Sequence, residues 1–254
     1  MADRGAAGRP LIAIPARFSA GATALRHGAE VSSRNLVTAV HAAGGEPLTV
    51  HPHAPGGTAD DREVAGRLAF ADGVLLPGGG DLAAHRTGQA PHPALYDVDD
   101  EQDAFDLAVA RTCLARGIPL LAVCRGLQVV NAARGGTVVQ DMDAAGGSLR
   151  HHRHHRHLVK VTPGSRLAGV VGEAVDVSCY HHQCLDVPGA GLEVVARSEE
   201  GVAEGVEIPA APGWFLGVQW HPEDTWATDP RQRALFEALV AAARARRLTP
   251  GHTP

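Results

Sequence analysis

The hydrophobic pattern in the first half of the chain alternates short apolar runs with longer amphipathic segments. The apolar runs predict strands at residues 11–15, 47–50, 72–76 and 118–123. Apolar residues at helical spacing predict helices at residues 25–43, 64–70, 100–116 and directly after residue 124. Strands that alternate with helices in this order predict an α/β fold with a doubly wound, mostly parallel sheet covered by helices on both faces.

The second half of the chain is richer in short strands. Turns with glycine or proline separate predicted strands at residues 158–162, 175–178, 192–197, 202–208 and 214–219. These strands predict a small antiparallel extension of the sheet. A last helix is predicted at residues 230–246, and residues 245–254 are expected to fray. No internal repeat and no linker composition is visible, so we expect one domain over residues 1–254.

The composition is that of an ordinary globular protein. The 254 residues are 44% hydrophobic and 20% charged, which excludes a wholly disordered, collagenous or disulfide-scaffold chain. The formal net charge of −5 gives no basic footprint for nucleic acid. No stretch approaches the roughly 20 apolar residues of a membrane helix. We therefore expect neither nucleic acid nor a membrane as a partner.

The expected location is the cytoplasm. The 4 cysteines are too few for a disulfide-dense secreted scaffold, which favours a reducing compartment. The apolar run near the N-terminus is broken by Pro15 and Arg17, and this favours a buried strand over an export signal.

Cys124 is the first candidate for chemistry. It stands where an apolar strand is predicted to end and a helix to begin, with Gly126 two positions later. This is the arrangement of a nucleophile elbow, in which amides at the helix end favour the thiolate. A buried structural cysteine is an equally common use of such a position. Placement alone leaves both interpretations open.

A base and an oxyanion site can be assigned to other strand ends. His221 follows the predicted strand at 214–219, and Glu223, two positions on, would point the same way in an extended segment and orient it. A surface His-Pro-Glu turn is the simpler interpretation of that tripeptide alone. Gly78, Gly79 and Gly80 follow another strand, where backbone N–H groups could approach a substrate oxygen.

Taken together, these segments resemble those of class I glutamine amidotransferase-like proteins. Residues 121–128 are similar to the family's nucleophile segment, residues 217–223 to its His/Glu segment and residues 77–81 to its oxyanion strand. The sequence Cys124-Arg125-Gly126, the stretch 180–183 and the acidic stretch 99–105 resemble the γ-glutamyl-γ-aminobutyrate hydrolase branch, which is peptidase C26-like. The resemblance extends over residues 11–240 and implies the flavodoxin-like fold of this superfamily.

The resemblance implies a role for each matching residue. Cys124 would attack the γ-carbonyl carbon, His221 would carry the proton to the leaving amine, and Glu223 would orient His221. The backbone N–H groups of Gly79 and Arg125 would form the oxyanion hole.

The resemblance also implies a set of substrate-binding residues. They are Gly80, Gln128, His181, His182 and Gln183. No cofactor and no metal is expected. The partner would be a small γ-glutamyl substrate, and a homodimer is compatible with the sequence.

Two segments depart from the family pattern. The family loop commonly reads Asn-Ser-x-His-His-Gln, whereas this chain has Ser178 and Cys179 at its first two positions. Residues 81–85 lack the usual Asp-Pro and a nearby tyrosine. Both departures leave the triad intact and put the identity of the leaving group in doubt.

The function implied is a cysteine-dependent hydrolase that releases glutamate from a γ-glutamylated amine or amino acid, for example in polyamine catabolism. A glutaminase subunit that delivers ammonia to a separate synthetase is one alternative. A catalytically inactive binding protein of the same fold is another. The presence of Cys124, His221 and Glu223 argues against the inactive protein.

Two stretches rich in histidine or cysteine could suggest a metal. Residues 151–157 contain five histidines, and we interpret them as a solvated loop because the run has no acidic or thiolate partner. Residues 179–184 offer two thiols and two imidazoles. They lack Cys-x-x-Cys spacing, and a strand followed by a loop would scatter the four side chains to both faces. We therefore expect no metal at either stretch.

Overall fold

A nine-stranded mixed sheet organises the protein, which a computed structural model describes at residues 8–23, 25–145 and 152–248. The strands are β1 Leu11–Pro15, β2 Arg17–Ser19, β3 Ala29–Val31, β4 Glu46–Val50, β5 Gly73–Leu76, β6 Leu120–Val123, β7 Val138–Val139, β8 Arg153–Val161, β9 Ala174–Tyr180, β10 Cys184–Leu185, β11 Glu193–Ser198, β12 Ala203–Glu207 and β13 Phe215–Val218. The helices are α1 Arg34–Ala42, α2 Asp61–Arg67, α3 Asp100–Arg116, α4 Arg125–Ala133, α5 Arg166–Val171 and α6 Pro230–Arg247.

The strand order separates a parallel part from an antiparallel part. The order is β4-β1-β5-β6-β13-β12-β11-β8-β9. Every pairing from β4 to β13 is parallel, and every pairing from β13 to β9 is antiparallel. The two-stranded pairs β2-β3 and β7-β10 lie outside this sheet. The predicted α/β class, with its parallel sheet and antiparallel extension, is confirmed.

The parallel strands are buried on both faces. In β6, Leu120 and Ala122 belong to one apolar cluster, whereas Leu121 and Val123 belong to the cluster on the opposite face. The first cluster includes residues of α2, α3 and α4, and the second includes residues of α1, α5 and α6. Alternate side chains of an extended strand point to opposite faces, so a continuously apolar strand needs a helical layer on each side.

The helix α3 has the bounds that the sequence predicts. Asp99 caps its first turn by accepting a hydrogen bond from the backbone N–H of Gln102, and Gly117 ends it with a φ of 64°. The last helix, α6, continues to Arg247, one residue beyond its predicted end, and Leu248 caps it. The fraying of the tail stays a prediction, and its residues 249–254 lie outside the described residues. Among the described helices, none has the length and apolar character needed to cross a membrane.

Three further expectations are corrected. The helix predicted at 25–43 begins only at Arg34, because the apolar positions with helical spacing all lie in α1 and the preceding residues form the β2-β3 hairpin. The helix predicted at 64–70 spans Asp61–Arg67, because Asp60 caps its backbone N–H groups. The helix α5, capped by Ser165, was not predicted.

The histidine-rich stretch is also different from the predicted solvated loop. The strand β8 begins at Arg153 rather than at residue 158, and it pairs with β9. His152, directly before β8, is buried. His151 lies outside the described residues.

Candidate active site

Three neighbouring strands of the parallel sheet bring the candidate residues to one edge. Gly78 follows β5, Cys124 follows β6, and His221 lies three residues after β13. The strands β5, β6 and β13 are adjacent and parallel, and the N–H of Cys124 donates to the carbonyl of Val218 over 2.8 Å. The carboxyl edge of a parallel sheet is where α/β proteins usually hold their ligands.

Cys124 has a strained backbone. Its φ of 51° and ψ of −110° are unusual for a residue with a side chain, and it stands immediately before the first residue of α4. The turn is tight enough that a Cβ at Gly126 would clash with the carbonyl oxygen of Leu76. Strain of this kind is concentrated at functional sites. The structure therefore gives Cys124 the geometry of a nucleophile elbow.

The imidazole of His221 contacts a carboxylate and lies beside Cys124. Nδ1 of His221 lies 2.8 Å from Oε1 of Glu223, whereas Nε2 has no hydrogen-bond partner among the described residues. A Cβ built on Gly78 would lie 3.1 Å from Cε1 of His221 and 3.6 Å from Cβ of Cys124, so the ring and the thiol flank the same glycine. The structure thus brings the three predicted triad residues together.

The electrostatics of this group favour a charged imidazole. Burial alone would lower the pKa of His221, but Cys124 and Glu223 outweigh it and raise that pKa well above its ordinary value. A proton held on His221 beside a thiolate is the form that a cysteine nucleophile needs for attack and for later protonation of a leaving amine.

We expect Glu223→Gln to move the alkaline limb of the pH profile of kcat/KM to lower pH by about one unit. The amide keeps a hydrogen-bond acceptor for Nδ1 but removes the charge that helps to raise the pKa of His221, so the imidazolium is lost at lower pH. The pH profile is measured with a γ-glutamyl amide.

Asp224→Asn is the matched control for Glu223→Gln. Asp224 is the next residue, it is exposed, and its carboxylate accepts the hydroxyl hydrogen of Ser178 instead. This variant should leave the alkaline limb within a few tenths of a pH unit. Equal shifts in both variants would contradict a specific role for Glu223.

The glycine loop after β5 is held by Arg17, which the sequence analysis did not single out. Its guanidinium donates to the carbonyl of Pro77 over 2.7 Å and to that of Gly78 over 2.6 Å. In a trans peptide the N–H points opposite to the preceding carbonyl. Fixing the Gly78 carbonyl on Arg17 therefore turns the N–H of Gly79 away from Arg17. This supports Gly79 as an oxyanion donor.

The two predicted oxyanion donors are connected to a group of charged side chains, which we call the buried charge cluster. It consists of Arg17, Asp103, Asp106 and Arg125. The guanidinium of Arg125 donates to Asp103 and Asp106, and Arg17 lies 2.8 Å from the same Asp106 carboxylate. Burial lowers the pKa of Arg17 to about 10, although Asp106 opposes this, so Arg17 stays charged at neutral pH. Burial likewise raises the pKa of Asp103. The sequence predicted a role only for the backbone of Arg125.

The predicted substrate-binding residues line a small pocket beside Cys124. The pocket is lined by Gly79, Gly80, Asp81, Tyr96, Cys124, Arg125, Gln128, Tyr180, His181, His182 and Gln183. All five predicted substrate-binding residues are therefore at the site. Their role in binding stays a prediction.

Hydrogen bonds fix the shape of this pocket. Nε2 of Gln128 donates to the carbonyl of Gln183 and to Oε1 of Gln219, each over 3.3 Å. Nε2 of Gln219 lies 3.6 Å from Sγ of Cys124. Nε2 of His182 lies 3.0 Å from both carboxylate oxygens of Asp81. Sequence reasoning assigned no role to Asp81 and Tyr96, which line the pocket, or to Gln219, which contacts Gln128 and Cys124. Asp81 and Gln219 stand inside segments that matched the family motifs.

A larger cleft lies beside the glycine loop. It has a volume of about 580 Å³, and its walls include the β2-β3 hairpin, Asp97, Asp99 and Gln102. Gly79 and Gly80 also line this cleft.

The chain is similar to a defined group of known proteins. The family model described as Peptidase C26 matches residues 10–223. The gamma-glutamyl-gamma-aminobutyrate hydrolase PuuD of Escherichia coli (strain K12) is 30% identical over 229 residues, which cover 85% of this chain and 87% of that protein. Protein NtpR of Enterococcus hirae is 29% identical over 240 residues, which cover 91% of this chain and 98% of NtpR.

Another relative is longer than this chain. A Mycobacterium tuberculosis protein, Rv2859c, provisionally named a glutamine amidotransferase, is 41% identical over 188 residues. The match covers 72% of this chain but only 59% of that relative's length.

A solved structure agrees with the fold. The glutaminase domain of Trypanosoma brucei CTPS with bound acivicin has a TM-score of 0.67 at 18% identity, covering 92% of this chain and 93% of that chain. This likeness concerns the fold alone. With the family model matched over most of the chain, the protein belongs to the Peptidase C26 family of class I glutamine amidotransferase-like proteins.

Proposed function

We propose that the protein is a cysteine hydrolase that cleaves the γ-glutamyl amide bond of a small γ-glutamylated amine or amino acid and releases glutamate. The observation that carries this proposal is the meeting of Cys124, His221 and Glu223 beside the glycine loop at the carboxyl edge of the sheet. The E. coli relative, named for hydrolysis of γ-glutamyl-γ-aminobutyrate, supports the same substrate class.

In this mechanism, the thiolate of Cys124 attacks the γ-carbonyl carbon and a C–S bond forms. The oxyanion of the tetrahedral intermediate accepts hydrogen bonds from the N–H groups of Gly79 and Arg125, each donor contributing about 3–4 kcal/mol. The C–N bond then breaks as His221 passes its proton to the leaving amine. Water attacks the γ-glutamyl thioester, His221 takes the water's proton, and the thiolate leaves as glutamate is released.

Charge in the cleft favours a cationic leaving group. Glu30, Asp97 and Asp99 line the cleft, whereas the guanidinium groups of its two arginines are held by Asp106. Glu30 also contacts Nδ1 of His51, but the charge facing the leaving group is mostly negative, and a γ-glutamylated polyamine fits it better than a substrate that ends in a carboxylate. A catabolic role on γ-glutamylated polyamines is part of this proposal.

We expect kcat/KM to be highest for γ-glutamylputrescine and at least about tenfold lower for glutamine, which lacks the group that fills the cleft. γ-Glutamyl-γ-aminobutyrate should fall between them. Glutamate release is measured for all three substrates. Asp97→Asn should reduce the preference for γ-glutamylputrescine over γ-glutamyl-γ-aminobutyrate, and the φ of 54° at this position is one that asparagine tolerates.

Other results with these three substrates distinguish between the candidate functions. A preference for glutamine that increases when a synthetase partner is added would contradict the proposal and favour a glutaminase subunit. An inactive binding protein would release no glutamate, and a thiol-reactive γ-glutamyl analogue would not label its Cys124. A preference for the carboxylate-bearing substrate would contradict only the charge argument.

A further inference from the structure

A second group of reactive side chains lies outside the triad and includes a residue of the loop at 180–183. It consists of His152, Cys179, His181 and Glu204, which we call the buried cluster. All four residues are buried, and one nitrogen, sulfur or oxygen atom of each lies within 4.8 Å of the others. Cys179 belongs to β9 and Glu204 to β12, while the two histidines stand directly before β8 and directly after β9. The proposed catalysis uses none of these side-chain donors.

The buried cluster contains polar atoms without hydrogen-bond partners among the described residues. They are Nδ1 of His152, Nε2 of His181 and both carboxylate oxygens of Glu204. Glu204 has an exposure of 0%, and a buried carboxylate needs a cationic or hydrogen-bonding group beside it. These orphaned atoms face one another: Nδ1 of His152 lies 3.1 Å from Oε1 of Glu204, and Nε2 of His181 lies 3.7 Å from it.

The tautomer of His181 is fixed by a backbone contact. Its Nδ1 lies 2.9 Å from the carbonyl oxygen of Gln183, and because a carbonyl can only accept, Nδ1 carries the hydrogen. In the neutral ring, Nε2 then presents a lone pair to the carboxylate of Glu204. Two acceptors that face each other in a buried site need a proton or a metal ion between them. A ring nitrogen that donates to a carbonyl while the other faces inward is the usual arrangement of a histidine that binds a metal.

The imidazole ring of His152 lies between two carboxylates. Its Nδ1 faces Glu204, while Nε2 on the other side of the ring lies 3.8 Å from Oε2 of Glu200. His157 stands at the rim of the cluster, with Nε2 3.5 Å from Oε1 of Glu204 and 4.0 Å from Sγ of Cys179. Within the buried cluster, the 3.1 Å and 3.7 Å separations between Oε1 of Glu204 and the two imidazole nitrogens are close to the roughly 3.3–3.8 Å between neighbouring ligand atoms of a tetrahedral zinc ion with bonds of 2.0–2.3 Å.

We propose that the buried cluster binds one zinc ion through Sγ of Cys179, Nδ1 of His152, Nε2 of His181 and a carboxylate oxygen of Glu204. One thiolate and one carboxylate balance the two positive charges of zinc, so the filled site is neutral, and the thiol proton of Cys179 is released to solvent on binding. Four protein ligands leave no open position, which makes the site structural rather than catalytic.

The site would hold the loop that closes the substrate pocket. His181 and Gln183 line that pocket, and the carbonyl of Gln183 also accepts from Gln128. The expectation that residues 179–184 would scatter their ligands was wrong for Cys179 and His181, which are two positions apart and reach the same cluster. The other two ligands come from outside that stretch, so its own spacing could not reveal the site.

The test uses the full-length protein and Co²⁺ as a spectroscopic probe. After removal of bound metal with a chelator, one equivalent of Co²⁺ should produce a thiolate-to-cobalt charge-transfer band and the intense visible bands of tetrahedral cobalt, and Zn²⁺ should abolish both. Protein purified without chelator should contain about one zinc per chain. The cobalt spectrum does not depend on hydrolysis, so a negative result would leave the proposed function untouched.

Variants identify the ligands. Cys179→Ala should remove the charge-transfer band, and Glu204→Gln should weaken Co²⁺ binding at least about tenfold. Cys184→Ala, which removes a nearby buried thiol, and His155→Ala, which removes an exposed histidine of the same stretch, should retain the full spectrum. The spectrum of the unaltered protein reports thiolate ligation even if a cluster variant does not fold. A charge-transfer band that is absent from the unaltered protein, or that survives Cys179→Ala, would overturn the proposal.

Discussion

Cys124→Ala is expected to lower kcat/KM for γ-glutamyl amides by about 10⁴-fold or more while the protein stays folded. The substitution removes the only atom that can form the thioester, whereas the N–H groups of Gly79 and Arg125 remain and support at most a residual reaction with water. The change is small in volume at a residue that is already only 6% exposed, so the packing around β6 should be preserved. Glutamate release and the denaturation midpoint are measured on the same preparation.

Cys113→Ala is the matched control for this variant. Cys113 is another buried free thiol, in α3, and burial raises its pKa to about 12, so it has no thiolate at neutral pH. Its loss should leave kcat/KM within about twofold. A thiol-reactive γ-glutamyl analogue should label Cys124 and spare Cys113. Retention of full activity by Cys124→Ala would refute the mechanism, whatever the identity of the substrate.

Much of the architecture follows from local sequence. The parallel strands β1, β5 and β6 are short apolar runs that end at proline, glycine or Cys124, and α3 has a cap and a terminating glycine at its predicted bounds. These features depend on neighbouring residues and can be recognised without knowing the fold. The grouping of Cys124, His221 and Glu223 was predictable for a related reason, since Cys124 directly follows β6 and the other two residues follow β13 by three and five positions.

Other features depend on contacts between distant segments. Arg17 reaches the loop after β5, 60 residues away, and nothing in its own surroundings indicates that contact. His152 and Glu204 are brought together only because β8 and β12 flank β11 in the same sheet. The first residues of β8 are mostly exposed histidines and arginines, and their strand conformation comes from pairing with β9 rather than from an apolar pattern.

We expect the largest loss of stability from a substitution in the buried charge cluster beside the glycine loop. Asp106→Asn should reduce the free energy of unfolding by about 3–5 kcal/mol, because Asp106 is the carboxylate shared by Arg17 and Arg125, and Asp106 and Arg125 are buried while the Arg17 side chain is only 14% exposed. With the charge removed, two guanidinium groups are left with Asp103 alone. Since a domain is typically stable by only about 5–15 kcal/mol, this loss should be large in urea denaturation.

Asp61→Asn provides a control with the same chemical change at the surface. Asp61 accepts three hydrogen bonds from Arg111 of α3, but both side chains are about half exposed. Solvent screens such a pair, so its loss should reduce the free energy of unfolding by about 1 kcal/mol or less. Equal losses in the two variants would mean that burial adds nothing to the cluster.

Asp106→Asn should also lower kcat at concentrations of urea where it is still folded, because Arg17 holds the carbonyls that orient Gly79 only while Asp106 holds Arg17. A folded Asp106→Asn protein with unchanged kcat would separate the cluster's role in stability from any role in positioning the oxyanion hole.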